Sequence, residues 1–489
     1  MRHGTVKATL SPGTAPGPTT GKRVLIVGGG YVGMYTALRL QRKLKPELAR
    51  GEIEIVVVTP DPYMTYQPFL PEAAAGSISP RHVVVPLRRV LDRCRVIIGE
   101  ATAITHAKRT ATLATLASEE EGAGTVELGY DELVLAPGSV SRALPVPGLA
   151  EHGVGFKTVE EAIGLRNHVI EQMDIASSTR DPAIREAALT FVFVGGGYAG
   201  VEALAELEDM ARYASRYYHN IRAEDMKWIL VEATGRILPE VGEAMGKYAV
   251  SELRRRNIDV RLGTRLESCE NRVAVLDDGS RFRTRTLVWT AGVKPHPVLA
   301  ATDLPRNGQG RLTATARLTV DGVAHAWAAG DAAAVPDLTA ADKRGAADTG
   351  AATPARDGVS APAVCAPNAQ HAVRQAKVLG DNVAASLRGA PLKEYAHAYA
   401  GSVASLGLHK GVAHVYGRKL KGYPAWFMHR VYHLSRVPTF NRKARVLAEW
   451  TLSGLFKREI VSLGSLEHPR AEFELAAGGK HPRPPKGSS

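Results

Sequence analysis

The stretch VLIVGGGYVG at residues 24–33 decides the fold, and the chain repeats its pattern as FVFVGGGYAG at residues 191–200. In each copy, a short apolar run leads into the spacing G-x-G-x-x-G and then into a helix-like segment. A strand, a glycine loop and a helix in this order present backbone N–H groups and a positive helix end to a pyrophosphate. One such loop is a weak indication by itself, but two with matching flanks predict two dinucleotide sites in an α/β chain.

The strand that follows each glycine loop differs at its end. After the second loop, the strand KWILVE ends in Glu232, whose carboxylate suits ribose hydroxyls and repels a 2′-phosphate, so this site is predicted to bind NADH. After the first loop, EIEIVVVT ends in Thr59 and Asp61 follows two residues later, and either side chain is a candidate for the adenosine ribose. The candidate pyrophosphate-binding glycines are Gly28, Gly30, Gly33, Gly195, Gly197 and Gly200.

Length and composition set bounds on the architecture. With 489 residues, 45% of them hydrophobic, the chain is long enough for two or three globular domains. Residues 1–21 and 471–489 are rich in Gly and Pro and are expected to be a disordered arm and a disordered tail. The first 21 residues lack the apolar core of a secretory signal, and no run approaches the roughly 18 apolar residues that cross a bilayer. We therefore expect a cytoplasmic protein that is free to lie on a membrane surface.

Cysteine usage excludes two kinds of chemistry. Cys94, Cys269 and Cys365 lie far apart in the chain, without a C-x-x-C pair or a zinc-ligand spacing. No metal site is therefore predicted, and no dithiol is available to relay electrons.

The positive charge is concentrated in one segment. Of a net charge of +13, a local net of +11 lies between Arg388 and Arg458, where 13 Lys and Arg stand against two Glu. Such a segment suits an anionic surface, either phospholipid or nucleic acid. Because no helix-turn-helix, zinc-finger or RNA-binding signature accompanies the charge, nucleic acid is not expected as a partner.

Two further segments are predicted strands that end in glycine turns, YDELVLAPGS at 130–139 and AHAWAAGDAAAVPD at 324–337. In the second segment, Gly330 and Asp331 follow the strand. An aspartate at such a strand end commonly contacts a hydroxylated chain, although the same residue type also caps helices.

Together these motifs resemble the type II NADH dehydrogenases, which are single-chain NADH:quinone oxidoreductases among the flavoproteins with two dinucleotide-binding domains. The matching phrases extend from about residue 22 to 455 and include YMTYQPFLPEAAAG, FKTVEEA, VEATGRILP, WTAGVKPHP, AAGDAA and PNAQHAVRQAKVLGDNV. The resemblance implies an α/β fold of two Rossmann-like domains, with FAD in the first and NADH in the second, so that hydride passes from NADH to the flavin.

The resemblance also implies a division of the chain and a set of site residues. Residues 22–155 and 296–388 would form an FAD-binding domain, with a flexible insertion at 338–364, interrupted by an NADH-binding domain at 156–295. A basic membrane-associating region would follow at 389–470. The implied FAD contacts are Gly28, Gly30, Gly33, Thr59, Ala136, Gly138, Gly330, Asp331, Ala369 and Gln370. The implied NADH contacts are Gly195, Gly197, Gly200, Glu232 and Gly292.

Gln370 and Glu202 are the candidate catalytic residues. In the family, the phrase around Gln370 abuts the flavin and lines the quinone pocket, although the segment taken alone has the pattern of an ordinary amphipathic helix. The family has a second glutamine four residues later, where this chain has Arg374 and then Gln375, so the identity of the acceptor stays open. Glu202 lies either beside the nicotinamide and flavin, as the resemblance implies, or complements the positive end of its helix, an effect of about 0.3–1 kcal/mol.

The basic segment contains two amphipathic stretches. Apolar faces beside cations suit helices in the lipid headgroup layer, where an enzyme would collect a quinone. The alternatives are that these faces pack on the protein's own core or form a homodimer interface. In the first stretch, the apolar stripe is Phe427, Val431 and Leu434, and the polar stripe is His429, His433 and Arg436. In the second stretch, the apolar residues Val446, Leu447 and Trp450 lie among cations.

The leading hypothesis is a peripheral enzyme at the cytoplasmic face of the cell membrane that oxidises NADH, carries FAD and reduces menaquinone or ubiquinone without pumping protons. A soluble NADH-dependent flavoprotein reductase with a protein acceptor is the second hypothesis, and a flavoprotein that senses NADH is the third. Disulfide reductases of the same superfamily need a cysteine pair after the first loop, where TPDPYMTYQPFLPEAAAG contains none. Sulfide:quinone oxidoreductases also depend on cysteines and are disfavoured for the same reason.

Overall fold

The computed structural model describes residues 21–339, 363–397, 401–415, 417–456 and 460–462. The predicted N-terminal arm, apart from its last residue, the predicted C-terminal tail and most of the predicted 338–364 insertion lie outside these ranges.

Strands occur in both glycine-loop units and in the C-terminal region. In chain order they are β1 (Lys22–Val27), β2 (Ile53–Thr59), β3 (Tyr63–Thr65), β4 (Val84–Pro86), β5 (Arg95–Thr105), β6 (Thr110–Thr115), β7 (Val126–Gly129), β8 (Glu132–Leu135), β9 (Ser139–Ser141), β10 (Gly153–Val154), β11 (Thr190–Val194), β12 (Lys227–Glu232), β13 (Ile258–Leu262), β14 (Leu266–Ser268), β15 (Val273–Leu276), β16 (Arg281–Arg283), β17 (Thr286–Trp289), β18 (Val293–Pro295), β19 (Leu312–Thr313), β20 (Ala326–Ala328), β21 (Ala333–Ala334), β22 (Gly401–Ser405), β23 (Gly411–Val415) and β24 (Arg418–Lys421).

Helices follow the glycine loops and dominate the C-terminal region. They are α1 (Tyr31–Lys43), α2 (Lys45–Ala49), α3 (Leu70–Ala74), α4 (Leu87–Val90), α5 (Leu116–Glu120), α6 (Leu149–His152), α7 (Val159–Ser178), α8 (Pro182–Ala188), α9 (Tyr198–Ala214), α10 (Glu243–Arg254), α11 (Ala369–Leu387), α12 (Tyr423–Arg436) and α13 (Phe440–Phe456).

The first unit is built on a seven-stranded sheet in the order β20-β8-β1-β2-β5-β6-β7. The five strands from β20 to β5 are parallel, and β6 and β7 extend the sheet antiparallel. The register pairs Val24 with Ile55 and Ile26 with Val134, and all four side chains are buried. Continuous apolar runs such as those in β1 and β2 are typical of parallel strands that are covered on both faces.

The second unit is built on a parallel five-stranded sheet in the order β10-β17-β11-β12-β13. Every residue of β11 is buried, and the rings of Phe191 and Trp228 stack with centroids 4.2 Å apart. All five strands come from the chain between β8 and β20, two neighbouring strands of the first sheet. The predicted α/β fold with two Rossmann-like units is confirmed.

The domain boundaries themselves stay a prediction. The strand β10, at Gly153–Val154, already pairs within the second sheet, just before the predicted boundary at 156. On the other side, β18 pairs with β9, so the two connections between the units lie side by side.

The C-terminal region combines an antiparallel sheet of β22, β23 and β24 with the helices α12 and α13. Gly411 of β23 lies against Trp426 of α12, and Ser402 of β22 donates a hydrogen bond to the Glu240 carbonyl of the second unit. Within the described ranges, no helix combines the length and the apolar character that crossing a lipid bilayer requires.

Candidate active site

The first glycine loop joins the carboxyl end of β1 to the first turn of α1. Gly28 has a φ of +108°, and a Cβ there would lie 2.2 Å from the Ala136 carbonyl oxygen. A Cβ at Gly33 would lie 1.8 Å from the Gly28 carbonyl oxygen, whereas a Cβ at Gly30 would have no atom within 4 Å. The outer glycines are therefore required by the packing of the chain, and the middle glycine faces open space that fits a ligand's pyrophosphate.

The second glycine loop, between β11 and α9, has the same construction. Gly195 has a φ of +118°, and its Cβ would lie 2.6 Å from Thr290 Oγ1. A Cβ at Gly200 would lie 2.1 Å from the Gly195 carbonyl oxygen, whereas a Cβ at Gly197 would meet nothing within 4 Å. The chain thus contains two cradles of one design, each at the carboxyl end of a central parallel strand, where α/β sheets bind their ligands.

The carboxylate of Glu232 is fixed against the second loop. Its Oε2 accepts a hydrogen bond from the Gly196 N–H at 2.6 Å, and its Oε1 accepts one from the Thr234 N–H at 2.7 Å. Each carboxylate oxygen retains a lone pair for a further donor. A cavity of about 880 Å³ lies next to this strand end and is lined by residues 234–237, by α10 and by Arg255 just after that helix. The other basic side chains that line it are Arg236, Lys247 and Arg254.

Thr59 and Asp61, the two alternatives for the first site, lie in different surroundings. The Thr59 side chain is buried against the glycine loop, because a Cβ on Gly29 would lie 2.6 Å from Thr59 Oγ1. Asp61 is exposed beyond the strand end. Thr59 therefore occupies the position in the first cradle that Glu232 occupies in the second.

Asp331 belongs to a hydrogen-bonded network at the carboxyl edge of the first sheet. Its Oδ2 accepts from Ser139 Oγ at 2.6 Å, and Lys157 Nζ donates to the Ser139 carbonyl at 2.5 Å and to Ser139 Oγ at 2.7 Å. Burial lowers the pKa of Lys157, and the nearby Asp331 and Glu161 carboxylates oppose this shift. Lys157 lies at the start of the second unit, and its side-chain amino group thus reaches the ligand-binding edge of the first sheet.

Gln370 lies in the first turn of α11, which begins beside the Gly330 turn. Asn368 caps this helix, since its Oδ1 accepts from the His371 N–H at 2.8 Å. Gln370 Nε2 donates to the Gly401 carbonyl at 3.0 Å, and Arg374 Nη1 donates to Gln370 Oε1 at 3.1 Å. Both ends of the Gln370 amide are therefore held in place.

The Glu202 carboxylate is buried between the second unit and the C-terminal region. Its Oε1 accepts from the Ser405 N–H at 2.8 Å and lies 3.1 Å from His429 Nε2. Since Gln370 bonds to Gly401 and Glu202 to Ser405, the two candidate catalytic residues hold opposite ends of β22, about 13 Å of strand apart. The sequence does not predict this contact of Glu202 with a C-terminal helix.

Two histidines of α12 extend this buried polar cluster. The rings of His429 and His433 have centroids 4.5 Å apart, and Tyr66 Oη lies 3.1 Å from His433 Nδ1. Burial alone would lower the pKa of His429, but Glu202 outweighs burial, so the net effect raises the pKa. Burial, together with repulsion from His429, shifts the pKa of His433 well below its ordinary value. The two pKa values thus shift in opposite directions, and His429 holds a proton more tightly than His433 does.

A second buried ion pair attaches the C-terminal helices to the first unit. Arg430 lies 3.2 Å from Glu72 Oε2, and Trp450 Nε1 donates to the same oxygen at 2.6 Å. The Arg430 guanidinium stacks between Trp426 and Trp450, at 4.2 and 4.7 Å from their ring centroids. Cation–π contacts of a half-buried arginine contribute on the order of 1 kcal/mol each.

The remaining predicted site residues lie on the same edges. Ala136 is buried behind the first loop, Gly138 has a φ of +74° in the turn after β8, and Gly292 has a φ of +99° after β17. Ala369 is half-buried as the first residue of α11. Gly330 approaches α1, because a Cβ there would lie 2.7 Å from Val32 Cγ2.

Several residues of this region were missed from the sequence. Lys157 stands in the phrase FKTVEEA and Gln375 in PNAQHAVRQAKVLGDNV, yet nothing local indicates that Lys157 reaches Ser139 or that Gln375 Oε1 accepts from the Gly330 N–H at 2.7 Å. From the sequence, His429 is only one member of a polar stripe. A buried histidine facing a helix of another unit leaves no signal in the spacing of its own helix.

The cysteines are isolated thiols. Cys94 is half-buried, and Cys269 and Cys365 are buried. Burial raises the pKa of Cys94 to about 12 and that of Cys269 to about 11, so both are protonated and poor nucleophiles at neutral pH. Among the described residues, no cluster of side chains could hold a metal ion.

Comparison of the sequence with known proteins identifies the family to which this chain belongs. A family model described as pyridine nucleotide-disulphide oxidoreductase matches residues 20–355. The chain belongs to this family.

Curated relatives of this oxidoreductase are named type II NADH:quinone oxidoreductases, which confirms the resemblance seen in the motifs. The protein from Mycobacterium tuberculosis is 27% identical over 458 residues, 90% of each chain. The protein from Staphylococcus saprophyticus is 27% identical over 413 residues, which cover 84% of this chain and 94% of the relative.

Solved structures with the same fold include NDH2 from Plasmodium falciparum in complex with NADH, with a TM-score of 0.78 and 16% identity over 90% of this chain and 99% of that one. The sulfide:quinone oxidoreductase from Aquifex aeolicus shares the fold with a TM-score of 0.64 and 16% identity, covering 90% of this chain and 96% of that one.

Proposed function

We propose that this oxidoreductase is an FAD-dependent NADH:quinone oxidoreductase that pumps no protons. The observation that carries the proposal is the pair of matching glycine cradles with Glu232 at the second. The names of the curated relatives and the isolated cysteines support it. In the balanced reaction, NADH loses a hydride to become NAD⁺, one proton comes from water, and the two carbonyl oxygens of the quinone each gain a hydrogen.

FAD would occupy the first cradle. When bound, FAD supplies a ring that accepts a hydride and releases two electrons to a second substrate. The middle glycine, Gly30, leaves room for the pyrophosphate, Asp331 offers a carboxylate to the ribitol chain and Thr59 lies at the ribose position. The full set proposed for this group is Gly28, Gly30, Gly33, Thr59, Ala136, Gly138, Gly330, Asp331, Ala369 and Gln370.

NADH would occupy the second cradle, with its pyrophosphate at Gly197 and its adenosine end toward the cavity beside Glu232. The Glu232 carboxylate would accept from the ribose hydroxyls and would repel the 2′-phosphate of NADPH. The full set proposed for NADH is Gly195, Gly197, Gly200, Glu232 and Gly292.

Glu202 and Gln370 are proposed to act where the two cofactors meet the acceptor. Gln370 would present an amide whose orientation is fixed by Gly401 and Arg374. Glu202 Oε1 accepts from the Ser405 N–H and lies 3.1 Å from His429 Nε2, so the position of its carboxylate is fixed. Both groups would therefore be preorganised before the acceptor arrives.

We further propose that the C-terminal region binds an anionic phospholipid surface at the cytoplasmic face of the cell membrane, from which menaquinone or ubiquinone is drawn. Each basic residue near such a surface contributes about 1 kcal/mol. Large apolar side chains on α12 and α13 are exposed, a costly arrangement in water. They are Tyr423, Phe427, Val431, Phe440, Leu447, Leu452, Leu455 and Phe456. The cations beside them are Arg418, Lys419, Lys421, Arg442, Lys443 and Arg445.

The alternative is that a second copy of the chain buries this apolar face in a homodimer interface. A dimer would persist in dilute detergent-free buffer and would lose its affinity for vesicles, because the same face would be buried between copies. Sedimentation velocity with and without anionic vesicles separates the two arrangements.

The experiment that tests the proposed function is a two-step stopped-flow cycle on the purified, FAD-loaded protein. NADH should bleach the flavin absorbance near its visible maximum, and a menaquinone or ubiquinone analogue added next should restore it within a turnover. If NADH bleaches the flavin but every quinone restores it no faster than dissolved oxygen does, the quinone assignment is wrong. If NADH leaves the absorbance unchanged, the NADH assignment is wrong.

A further inference from the structure

Lys157 connects the start of the second unit to the ligand-binding edge of the first sheet. Its Nζ donates to the Ser139 carbonyl oxygen at 2.5 Å and to Ser139 Oγ at 2.7 Å. Its backbone N–H donates to Glu161 Oε2 at 2.6 Å, in the first turn of α7. The backbone of Lys157 is therefore fixed to the second unit and its amino group to the first.

The amino group of Lys157 sets the direction in which the Ser139 hydroxyl donates. A lysine ammonium has three donors and no acceptor, so Ser139 Oγ accepts the bond from Lys157 Nζ. The hydroxyl hydrogen is then directed to Asp331, whose Oδ2 accepts it at an oxygen–oxygen distance of 2.6 Å. The result is a chain of hydrogen bonds from Lys157 through Ser139 to the Asp331 carboxylate.

This chain of hydrogen bonds lies beside the first glycine loop. On one side, a Cβ on Gly28 would lie 2.2 Å from the carbonyl oxygen of Ala136, shortly before Ser139. On the other side, a Cβ on Gly330, next to Asp331, would lie 2.7 Å from a side chain in the first turn of α1. Both segments therefore contact the loop or its helix, which places the Asp331 carboxylate next to the cradle proposed for FAD.

The amino group of Lys157 also balances charge at this edge of the sheet. Burial lowers the pKa of Lys157, and the carboxylates of Asp331 and Glu161 oppose that shift and so favour its charged form. An unbalanced carboxylate here would repel a ligand that carries phosphates, and it would repel the ligand more strongly once two electrons were added to it. The charge of Lys157 offsets that of Asp331.

Resting on the proposed function, we infer that Lys157 is a positioning residue of the FAD site, which holds the Asp331 carboxylate through Ser139 and offsets its negative charge. A carboxylate that is already held loses little freedom when it accepts a hydrogen bond from a ribitol hydroxyl. The offset of charge favours reduced FAD over oxidised FAD, because the reduced form is the more negative one. Lys157 therefore contributes both to the affinity for FAD and to its reduction potential.

The test compares the FAD-loaded protein with three variants. Lys157→Met removes the amino group, Lys157→Arg keeps the charge, and Ser139→Ala removes the hydroxyl between Lys157 and Asp331. Lys294→Met is the matched control for a lost lysine, because Lys294 is exposed on β18, directly opposite Val140 of β9 and thus close to Ser139. Thermal unfolding and gel filtration establish that each variant is folded.

Two quantities are measured in the absence of NADH and quinone. One is the Kd of FAD, from its release on dilution of the loaded protein, and the other is the two-electron midpoint potential, from equilibration with a redox dye. We expect Lys157→Met to raise the Kd of oxidised FAD about tenfold. Its midpoint potential should fall by about 30 mV, which corresponds to a further tenfold weakening of the binding of reduced FAD.

The other variants separate the charge from the hydrogen bond. Lys157→Arg should keep the potential of the unaltered protein, because the charge remains. Ser139→Ala should raise the Kd of FAD but change the potential less than Lys157→Met does, for the same reason. Lys294→Met should match the unaltered protein in both quantities.

The double variant Lys157→Met/Ser139→Ala decides whether Lys157 acts through Ser139. Its Kd for FAD should rise by less than the product of the two single effects, since the second change removes a connection that the first has already broken. Single effects that multiply, an unchanged potential in Lys157→Met, or equal changes in Lys294→Met would overturn the inference. Failure of the proposed function is distinguishable, because FAD would then bind as expected but would be neither bleached by NADH nor restored by a quinone.

Discussion

Gly30 and Gly197 occupy equivalent positions in the two glycine loops, and a Cβ at either one would meet open space. An alanine there is therefore compatible with the empty fold but intrudes on the ligand. We expect Gly30→Ala to weaken FAD binding about tenfold or more, and Gly197→Ala to retain FAD while raising the Kd of NADH by a similar factor. Flavin content after gel filtration and NADH titration of the flavin fluorescence measure the two effects.

Gly308→Ala serves as the control for both, since its Cβ also meets nothing within 4 Å and it lies in neither loop. Gly33→Ala marks the opposite case, because its Cβ would overlap the Gly28 carbonyl oxygen and should lower the thermal stability itself. Loss of FAD from Gly197→Ala, with FAD retained in Gly30→Ala, would reverse the assignment of the two cradles.

Glu232 gives a prediction about the choice between NADH and NADPH. Replacing the carboxylate in Glu232→Gln weakens the bonds to the ribose hydroxyls and removes the repulsion of a 2′-phosphate. The kcat/KM for NADH should fall about tenfold, while the preference for NADH over NADPH narrows. Steady-state kinetics with both nucleotides measure this, with the exposed Glu224→Gln as control. An undiminished preference in Glu232→Gln would show that another residue discriminates.

Helix α12 contains two neighbouring histidines whose pKa values shift in opposite directions. The pKa of His429 is raised above its unfolded value, so its contribution to stability is complete below about pH 6.5 and is lost as the pH rises through the folded pKa. The pKa of His433 is lowered, so stability is lost as the pH falls below about 6.5, where only the unfolded chain gains that proton.

Measuring the free energy of unfolding against pH in two variants separates these contributions. His429→Gln should flatten the loss of stability above pH 6.5, and His433→Gln should flatten the loss below it. Each substitution should change the pH dependence on one side of pH 6.5 only, because each histidine loses stability on one side only. The two variants are controls for each other, and identical pH profiles would contradict the opposite pKa shifts of His429 and His433.

At the level of elements, the structural features that could be predicted correctly from the sequence depend on local patterns. A strand, a loop and a helix lie within some 20 residues, so both cradles could be predicted from spacing. The stripes of α12 and α13 were also visible, but not which stripe faces the body. Of the polar stripe, His429 is buried and His433 half-buried, because Glu202 and Tyr66 provide partners for these histidines. Phe427 and Val431 of the apolar stripe are exposed.

The contacts that could not be predicted join distant parts of the chain. Glu202 and His429 are 227 positions apart, and Ser139 and Asp331 are 192 apart. In helix α13, Val446 is buried and Trp450 donates a hydrogen bond to Glu72. One face of this helix therefore packs on the protein's own core. Leu447, on the other side, is half exposed.

For the whole molecule, the exposed ends of α13 give a prediction about membranes. Phe440 is 85% exposed and Phe456 is 77% exposed, and burying each in lipid would contribute about 1.5–3 kcal/mol. The double variant Phe440→Ser/Phe456→Ser should therefore bind anionic vesicles at least about tenfold more weakly in a flotation assay. Added salt should weaken binding of the unaltered protein, because cations hold it to the headgroups.

Leu116→Ser, which removes an exposed apolar side chain of the first unit, is the control and should float like the unaltered protein. Equal flotation with uncharged and anionic vesicles would contradict the electrostatic part of the proposal. Equal flotation of the double variant and the control would contradict the placement of α13 in the headgroup layer.

The order of strands in the first sheet has a consequence for synthesis on the ribosome. Strand β8 is flanked by β1 and β20, but β20 ends at Ala328, some 190 residues after Leu135 ends β8. At about 5–20 residues per second, a nascent chain would wait roughly 10–40 s with an apolar strand edge unpaired. The five strands of the second sheet all emerge during that interval, so that sheet can close first, and the waiting edge is where a chaperone is most needed.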